Sequence, residues 1–201
     1  MATIVYLHGF ASVGDSVKSQ AIRAAFPQET VIAPDLPVNP QEVIELVTGL
    51  VNDALATHPG ALPLIFVGTS LGGFWANYFA HEFYAQAVIV NPSLYPSLTL
   101  ARAVGNPTVN HKTQAPVVVT SVDLAKFETL EDELLGCQLG DSLVDVFLAK
   151  DDDVIPYQRV LRQIDDQFRN LTITETGGHR YDTEWSRVVD QIGSIIESNQ
   201  N

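Results

Sequence analysis

The stretch Phe66-Val67-Gly68-Thr69-Ser70-Leu71-Gly72-Gly73-Phe74-Trp75 breaks an apolar run with small residues and sets one serine between glycines. Leu62 to Val67 before it reads as a buried strand. Leu71 to Tyr84 after it is apolar nearly all round, as expected of a helix packed centrally. A strand that turns into a helix this abruptly crowds its own backbone, and flanking glycines relieve the crowding. Ser70 then projects from the turn, the arrangement known as a nucleophile elbow. A Gly-x-Ser-x-Gly match is weak by itself, so the weight falls on its surroundings.

Outward from the elbow, apolar and β-branched runs recur at Thr3 to Leu7, Thr30 to Ala33, Ala87 to Val90, Leu143 to Ala149 and Leu171 to Thr174. They run apolar without strict alternation, which predicts strands buried on both faces. Helical spacing lies between them. Val43, Val47, Leu50, Val51 and Ala54 share a face behind Asn39 as N-cap, with Pro40 in the first turn and Glu42 after it. Tyr157, Val160, Leu161, Ile164 and Phe168 form a second such face, and Trp185, Val188, Val189, Ile192, Ile195 and Ile196 a third. Alternating strands and helices predict an α/β fold with a mostly parallel sheet covered on both sides. One domain over 1–201 accommodates this pattern, with a small cap within 92–135, where proline, asparagine and small residues from Pro92 to Gln114 interrupt it. Val117 to Thr120 reads as a strand or an extended piece of that cap, and Phe127 to Leu135 as a helix.

In open α/β sheets ligands bind beyond the carboxyl ends of the strands. Four segments stand at such ends: Leu7-His8-Gly9-Phe10, Gly68 to Gly73, Asp151-Asp152-Asp153 and Gly177-Gly178-His179. A serine hydroxyl is a weak nucleophile until a base takes its proton, and the base must be oriented by a carboxylate. Ser70, Asp152 and His179 follow in the chain order nucleophile, acid, histidine that this fold uses. Asp151 and Asp153 remain alternatives for the acid. Three adjacent aspartates also suggest calcium, but the run lacks the alternating oxygens and turn glycine of a calcium loop, so no metal is expected. The backbone N–H groups of Phe10 and Leu71 are the candidate oxyanion donors, one from the loop after the first strand and one from the helix start. His8 shapes that loop or borders the pocket. Asn91, Pro92 and Tyr95 end another strand at the same rim and either line the pocket or form a plain proline turn.

The 201 residues suffice for a substantial core. Cys137 is the single cysteine, without an intrachain partner, and reads as a packing thiol in a cytoplasmic protein. The start, MATIVYLHGF, reads as a core strand rather than a signal peptide, and no run is long enough to span a bilayer. A formal net charge of -13 repels nucleic acid and anionic membranes. Gly68 to Gly73 lacks both Gly-x-Gly-x-x-Gly and a terminal Gly-Lys-Ser/Thr, which argues against a nucleotide cradle.

Together YLHGF, GTSLGGFWA, VIVNPSLYP, DDDVIPY and GGHRY make the chain resemble small bacterial α/β-hydrolase esterases of the YqiA/YcfP type along nearly its whole length. The resemblance implies a compact α/β-hydrolase fold, no cofactor and a small-molecule ester or thioester as substrate. It carries nucleophile, acid and base to Ser70, Asp152 and His179. The middle, Pro96 to Gly140, diverges, and Asp151 stands where related members tend to carry glycine. The expected chemistry is hydrolysis of carboxylic esters by a serine esterase. A thioesterase using the same residues is the nearest rival, for which Arg102, Lys112 and Arg180 are candidate phosphate contacts. A peptidase is a further alternative. A non-catalytic binding module on the same fold is the alternative of a different class.

Overall fold

The structure is a computed structural model that describes residues 1–58, 60, 62–135, 143–164 and 168–199. In chain order the first elements are β1 (Thr3–Leu7), α1 (Val17–Ala25), β2 (Thr30–Ile32), α2 (Pro40–Thr57), β3 (Leu64–Thr69), α3 (Leu71–Glu82) and β4 (Gln86–Val90). A segment outside the main sheet follows: α4 (Pro96–Thr99), a 3₁₀ turn (Ala101–Ala103), β5 (Thr108–Val109), β6 (Pro116–Val117) and α5 (Ser121–Leu135). The chain then rejoins the sheet through β7 (Val144–Ala149), α6 (Tyr157–Leu161), β8 (Asn170–Thr174) and α7 (Trp185–Ser198).

Six parallel strands form one sheet in the order β2-β1-β3-β4-β7-β8. The chain moves outward from β1 to β2, then returns to place β3 on the other side of β1. The loops after β1 and β3 therefore diverge at a topological switch point, where open α/β sheets hold ligands. Register brings the two strand ends together, with Leu7 opposite Gly68.

Helices cover both faces. Val5, Leu7 and Phe66 point toward α2, α3 and α5, whereas Ile4, Tyr6, Ile65 and Val67 point toward α1 and α7, as strand alternation requires. β1, β3 and β7 are buried throughout, but β2 is half-buried and Ile173 in β8 is 38% exposed. The expectation of strands buried on both faces thus fails at β2 and β8. These are the sheet edges, and each has only one neighbouring strand to cover it.

Local signals account for most of the boundaries. Asn39 caps α2 by accepting from the N–H groups of Gln41 and Glu42, and Pro40 opens the helix. α5 begins six residues before the expected Phe127. Thr120 explains this, because its hydroxyl accepts from Asp123 N–H while the Asp123 carboxylate accepts from Thr120 N–H, a reciprocal cap. Phe127 in this helix packs against Phe74 and Trp75 of α3, and its burial contributes about 2 kcal/mol toward fixing the 92–135 segment. Val117 pairs antiparallel with Thr108, and Val119 bridges to Val104. α6 ends at Leu161 rather than Phe168. Bonds back to Val160 carry the turn to Ile164, and by Arg169, whose N–H donates to Val144 O, the chain is already beside β7. Cys137 and the final two residues lie outside the described residues. Among the described residues, no helix is long and apolar enough to cross a membrane.

Candidate active site

Ser70 sits between β3 and α3 with φ 57° and ψ -122°, a left-handed conformation that strains any side chain larger than glycine's. Its backbone is tied on both sides. Ser70 N–H donates to Val90 O at 3.0 Å, and Ser70 O accepts from Gly73 N–H at 2.8 Å and Ser93 N–H at 3.0 Å. The glycines around it have no room for a side chain. A Cβ on Gly68 would lie 1.8 Å from Gly72 O, and one on Gly72 would lie 1.9 Å from Leu7 O. The elbow therefore packs backbone against backbone, and it presses α3 onto the end of β1. The crowding inferred from the sequence is this pair of contacts.

Asp152 follows the end of β7. Its side chain is fully buried, and both carboxylate oxygens approach His179 Nδ1, at 3.0 and 2.9 Å. One of those oxygens also accepts from the N–H groups of Val154 and Ile155, each at 2.8 Å. A carboxylate only accepts, so Nδ1 carries the proton and Nε2 is left as a base. The adjacent aspartates do different things. Asp151 accepts from Gly178 N–H at 2.8 Å and so holds the histidine loop, while Asp153 is exposed. Among the described residues no cluster of three or more His, Cys, Asp or Glu could hold a metal ion.

Ser70 and His179 line one cleft of about 580 Å³, together with Gly9, Phe10 and Leu71. Leu98, Thr99, Leu100, Arg102 and His111 close part of it, so residues 98–111 contribute a wall to the cleft. Among the described residues the N–H of Phe10 has no hydrogen-bond partner. Leu71 opens α3, so its N–H has no carbonyl one turn earlier within the helix. Arg180 also lines the cleft, whereas the Lys112 ammonium donates to Asp15 O away from it. Tyr95 does not line the cleft either; it faces a separate cavity of about 110 Å³ bordered by α5.

His8 is 4% exposed and sets the loop after β1. Its Nε2 accepts from Leu36 N–H at 2.8 Å, which leaves Nδ1–H to donate to Gly9 O at 2.8 Å. Only the neutral ring can make both bonds, and burial pushes its pKa below the ordinary value. Asn91, expected to line the pocket or to form a plain proline turn, is not among the residues lining the cleft. It is 1% exposed with φ 41°, a conformation that asparagine tolerates better than most residues. Its amide donates to Gly178 O at 2.9 Å and His179 O at 3.1 Å, and its oxygen accepts from Ala149 N–H at 2.9 Å. One side chain thus joins the ends of β4 and β7 to the histidine loop. The signal available for it was a lone asparagine closing an apolar strand in Val90-Asn91-Pro92.

The parallel sheet, the elbow after β3 and the loops gathered at one rim define an α/β-hydrolase fold. Similar solved structures agree. Est1E from Butyrivibrio proteoclasticus with ferulic acid bound superposes with a TM-score of 0.73 at 11% identity, covering 98% of this chain and 89% of that one. A structure from work on LipS and LipT, two metagenome-derived lipolytic enzymes, gives 0.71 at 16% identity over 98% and 94% of the two chains. Mouse alpha/beta hydrolase domain-containing protein 10 gives 0.68 at 15% identity over 98% and 90%. Residues 3–196 match UPF0227, an uncharacterised protein family, and the chain belongs to that family. The UPF0227 protein PC1_2487 of Pectobacterium carotovorum subsp. carotovorum is 29% identical over 105 residues, which is 52% of this chain and 58% of that protein. The match thus spans little more than half the length of this relative.

Proposed function

We propose that this chain is a serine hydrolase that cleaves carboxylic esters of small acyl substrates. Ser70 Oγ attacks the ester carbonyl carbon as His179 Nε2 takes the hydroxyl proton. Asp152 keeps the ring in the required tautomer and stabilises the imidazolium as it forms. The N–H groups of Phe10 and Leu71 receive the charge that develops on the carbonyl oxygen. His179 then protonates the departing alcohol, and a water deprotonated by the same nitrogen releases the acid from Ser70. The observation that carries this reading is the buried Asp152 carboxylate on Nδ1 of a histidine that shares a cleft with the strained Ser70.

Turnover of p-nitrophenyl butyrate by wild type and Ser70→Ala tests it. Loss of at least about 10³-fold in kcat is expected. Unchanged turnover, with contaminating esterase excluded, would end the proposal. A thioester substrate uses the same residues and is favoured by Arg102 and Arg180 in the cleft lining. Matched oxygen esters and thioesters of one acyl chain rank the two.

A further inference from the structure

The chain carries 24 Asp and Glu against 11 Lys and Arg, so a guanidinium on this surface has acids in excess to pair with. The Ser70 cleft runs against that balance. Lys18, Arg102, Arg159 and Arg180 all line it, with His111 beside them, and no Asp or Glu is among its lining residues. Lys18 is neutralised by Asp182 and lies over the Trp185 ring. Among the described residues, Arg102, Arg159 and Arg180 have no carboxylate or other side-chain partner. Elsewhere Arg23, Arg169 and Arg187 are paired with Asp15, Asp145 and Glu184, while Arg162, outside the cleft, is the one further arginine without such a partner among the described residues.

The three unpaired arginines come from separate parts of the fold. Arg102 belongs to the 3₁₀ turn of the wall, Arg159 is half-buried in α6, and Arg180 follows His179. No single amphipathic stretch accounts for their convergence. A net charge of -13 repels anions from the molecule as a whole, so an anionic ligand needs a local concentration of this kind to enter. Planar guanidinium groups suit carboxylate and phosphate oxygens, which they can bind through two parallel hydrogen bonds.

We propose that Arg102, Arg159 and Arg180 form an anion subsite in the Ser70 cleft, so that the substrate is an ester or thioester bearing a carboxylate or phosphate group. This rests on the hydrolase reading above and narrows its substrate class. The subsite holds the anionic end while the ester carbonyl lies at Ser70, so remote binding strength serves the positioning of the reacting bond.

Two pairs of esters test it and separate the two anions. Monophenyl adipate is compared with phenyl hexanoate, and 2-(butanoyloxy)ethyl phosphate with 2-methoxyethyl butanoate. In at least one pair, kcat/KM for the charged ester should exceed that for the neutral one by about tenfold or more. The pair that shows it identifies the anion. Arg102→Gln/Arg180→Gln, with Arg159→Gln as a separate variant, should erase the preference, read as the ratio of kcat/KM for the charged and neutral ester within each variant. Raising salt from 50 to 500 mM should weaken the preference in the wild type.

Equal rates within both pairs overturn the subsite, as does a preference that survives all three substitutions. Labelling by a fluorophosphonate is run alongside. Labelled Ser70 with no charge preference sinks the subsite and spares the hydrolase. No labelling and no turnover sinks the hydrolase, and the subsite falls with it.

Discussion

Two aspartates with fully buried side chains stand at the two ends of β7, one within the strand and one beyond it, and their partners differ in kind. Asp145, near the start of the strand, accepts from Arg169 Nε at 2.9 Å and from Arg169 Nη2, from Asn170 at 2.8 Å and from Gln191 at 2.6 Å. These donors are one guanidinium and two carboxamides, which serve as fixed hydrogen-bond donors. Asp152, beyond the strand's end, accepts from two backbone N–H groups and from His179, an imidazole that borders the cleft. Burying either carboxylate costs several kcal/mol before its partners act. At Asp145 the outcome is a knot that ties β7 to β8 and α7. At Asp152 it is a histidine ring held in one orientation at the cleft. Burial alone therefore does not separate the two carboxylates; the kind of partner each one holds does.

The same substitution at both positions gives the sharpest way to break this comparison. Asp152→Asn is expected to lower kcat by about 10⁴-fold, because an amide no longer selects the tautomer that leaves Nε2 free. Its oxygen can still accept from Val154 and Ile155, so unfolding in urea should change little. Asp145→Asn should do the reverse. Its new NH2 group meets an Arg169 nitrogen and one amide donor whichever oxygen it replaces, Asn170 on the Oδ1 side or Gln191 on the Oδ2 side, and stability should fall by about 3 kcal/mol in urea unfolding while kcat of the folded protein is kept. Loss of activity at position 145, or of stability alone at position 152, would reverse the assignment.

Asn91→Ala extends the comparison to the rim. It leaves the His179 carbonyl and the Ala149 N–H without their side-chain partner and Gly178 O with Tyr181 N–H alone, with an expected loss of about 1–3 kcal/mol in stability. A freed histidine loop misplaces Nε2, so kcat should fall about tenfold or more while KM stays nearly constant. A change in KM alone would make Asn91 a pocket residue instead.

The smallest effect concerns His8. Its folded pKa lies below the unfolded value near 6.5, so the unfolded chain takes up a proton first as pH falls. Stability should be constant above about 6.5 and decline below it, by at most about 1.4 kcal/mol per pH unit, until the folded pKa is passed. Urea unfolding from pH 7.5 to 5.0, with His8→Gln as reference, measures the difference. A variant with an unchanged slope would remove His8 from the account.

Much of the fold is written locally. The elbow between β3 and α3, the Asn39 cap and the apolar runs of β1, β3 and β7 all depend on neighbours in sequence, and reading them required no tertiary knowledge. The start of α5 was equally readable from Thr120-Ser121-Val122-Asp123, a reciprocal capping pattern. Edge exposure of β2 and β8 was not, since strand order is a global property. The site divides in the same way. The motifs carrying Ser70 and His179 stand out because glycines stand beside them, at Ser70 where a Cβ would meet backbone. Asn91 bonds across 58, 87 and 88 residues, Asp145 across 24, 25 and 46, and His8 across 28. Such partners leave no periodic trace. Among Asp151, Asp152 and Asp153 only side-chain direction distinguishes the residue on His179 from the one on Gly178, and sequence order does not encode it.

The central claim is that Ser70 is an activated nucleophile. Intact mass after treatment with a fluorophosphonate, on wild type and Ser70→Ala, tests it most directly. Displacement of fluoride by Ser70 Oγ should give one adduct on the wild type and none on the variant. An unmodified wild type, or an adduct that persists on Ser70→Ala, would contradict the account.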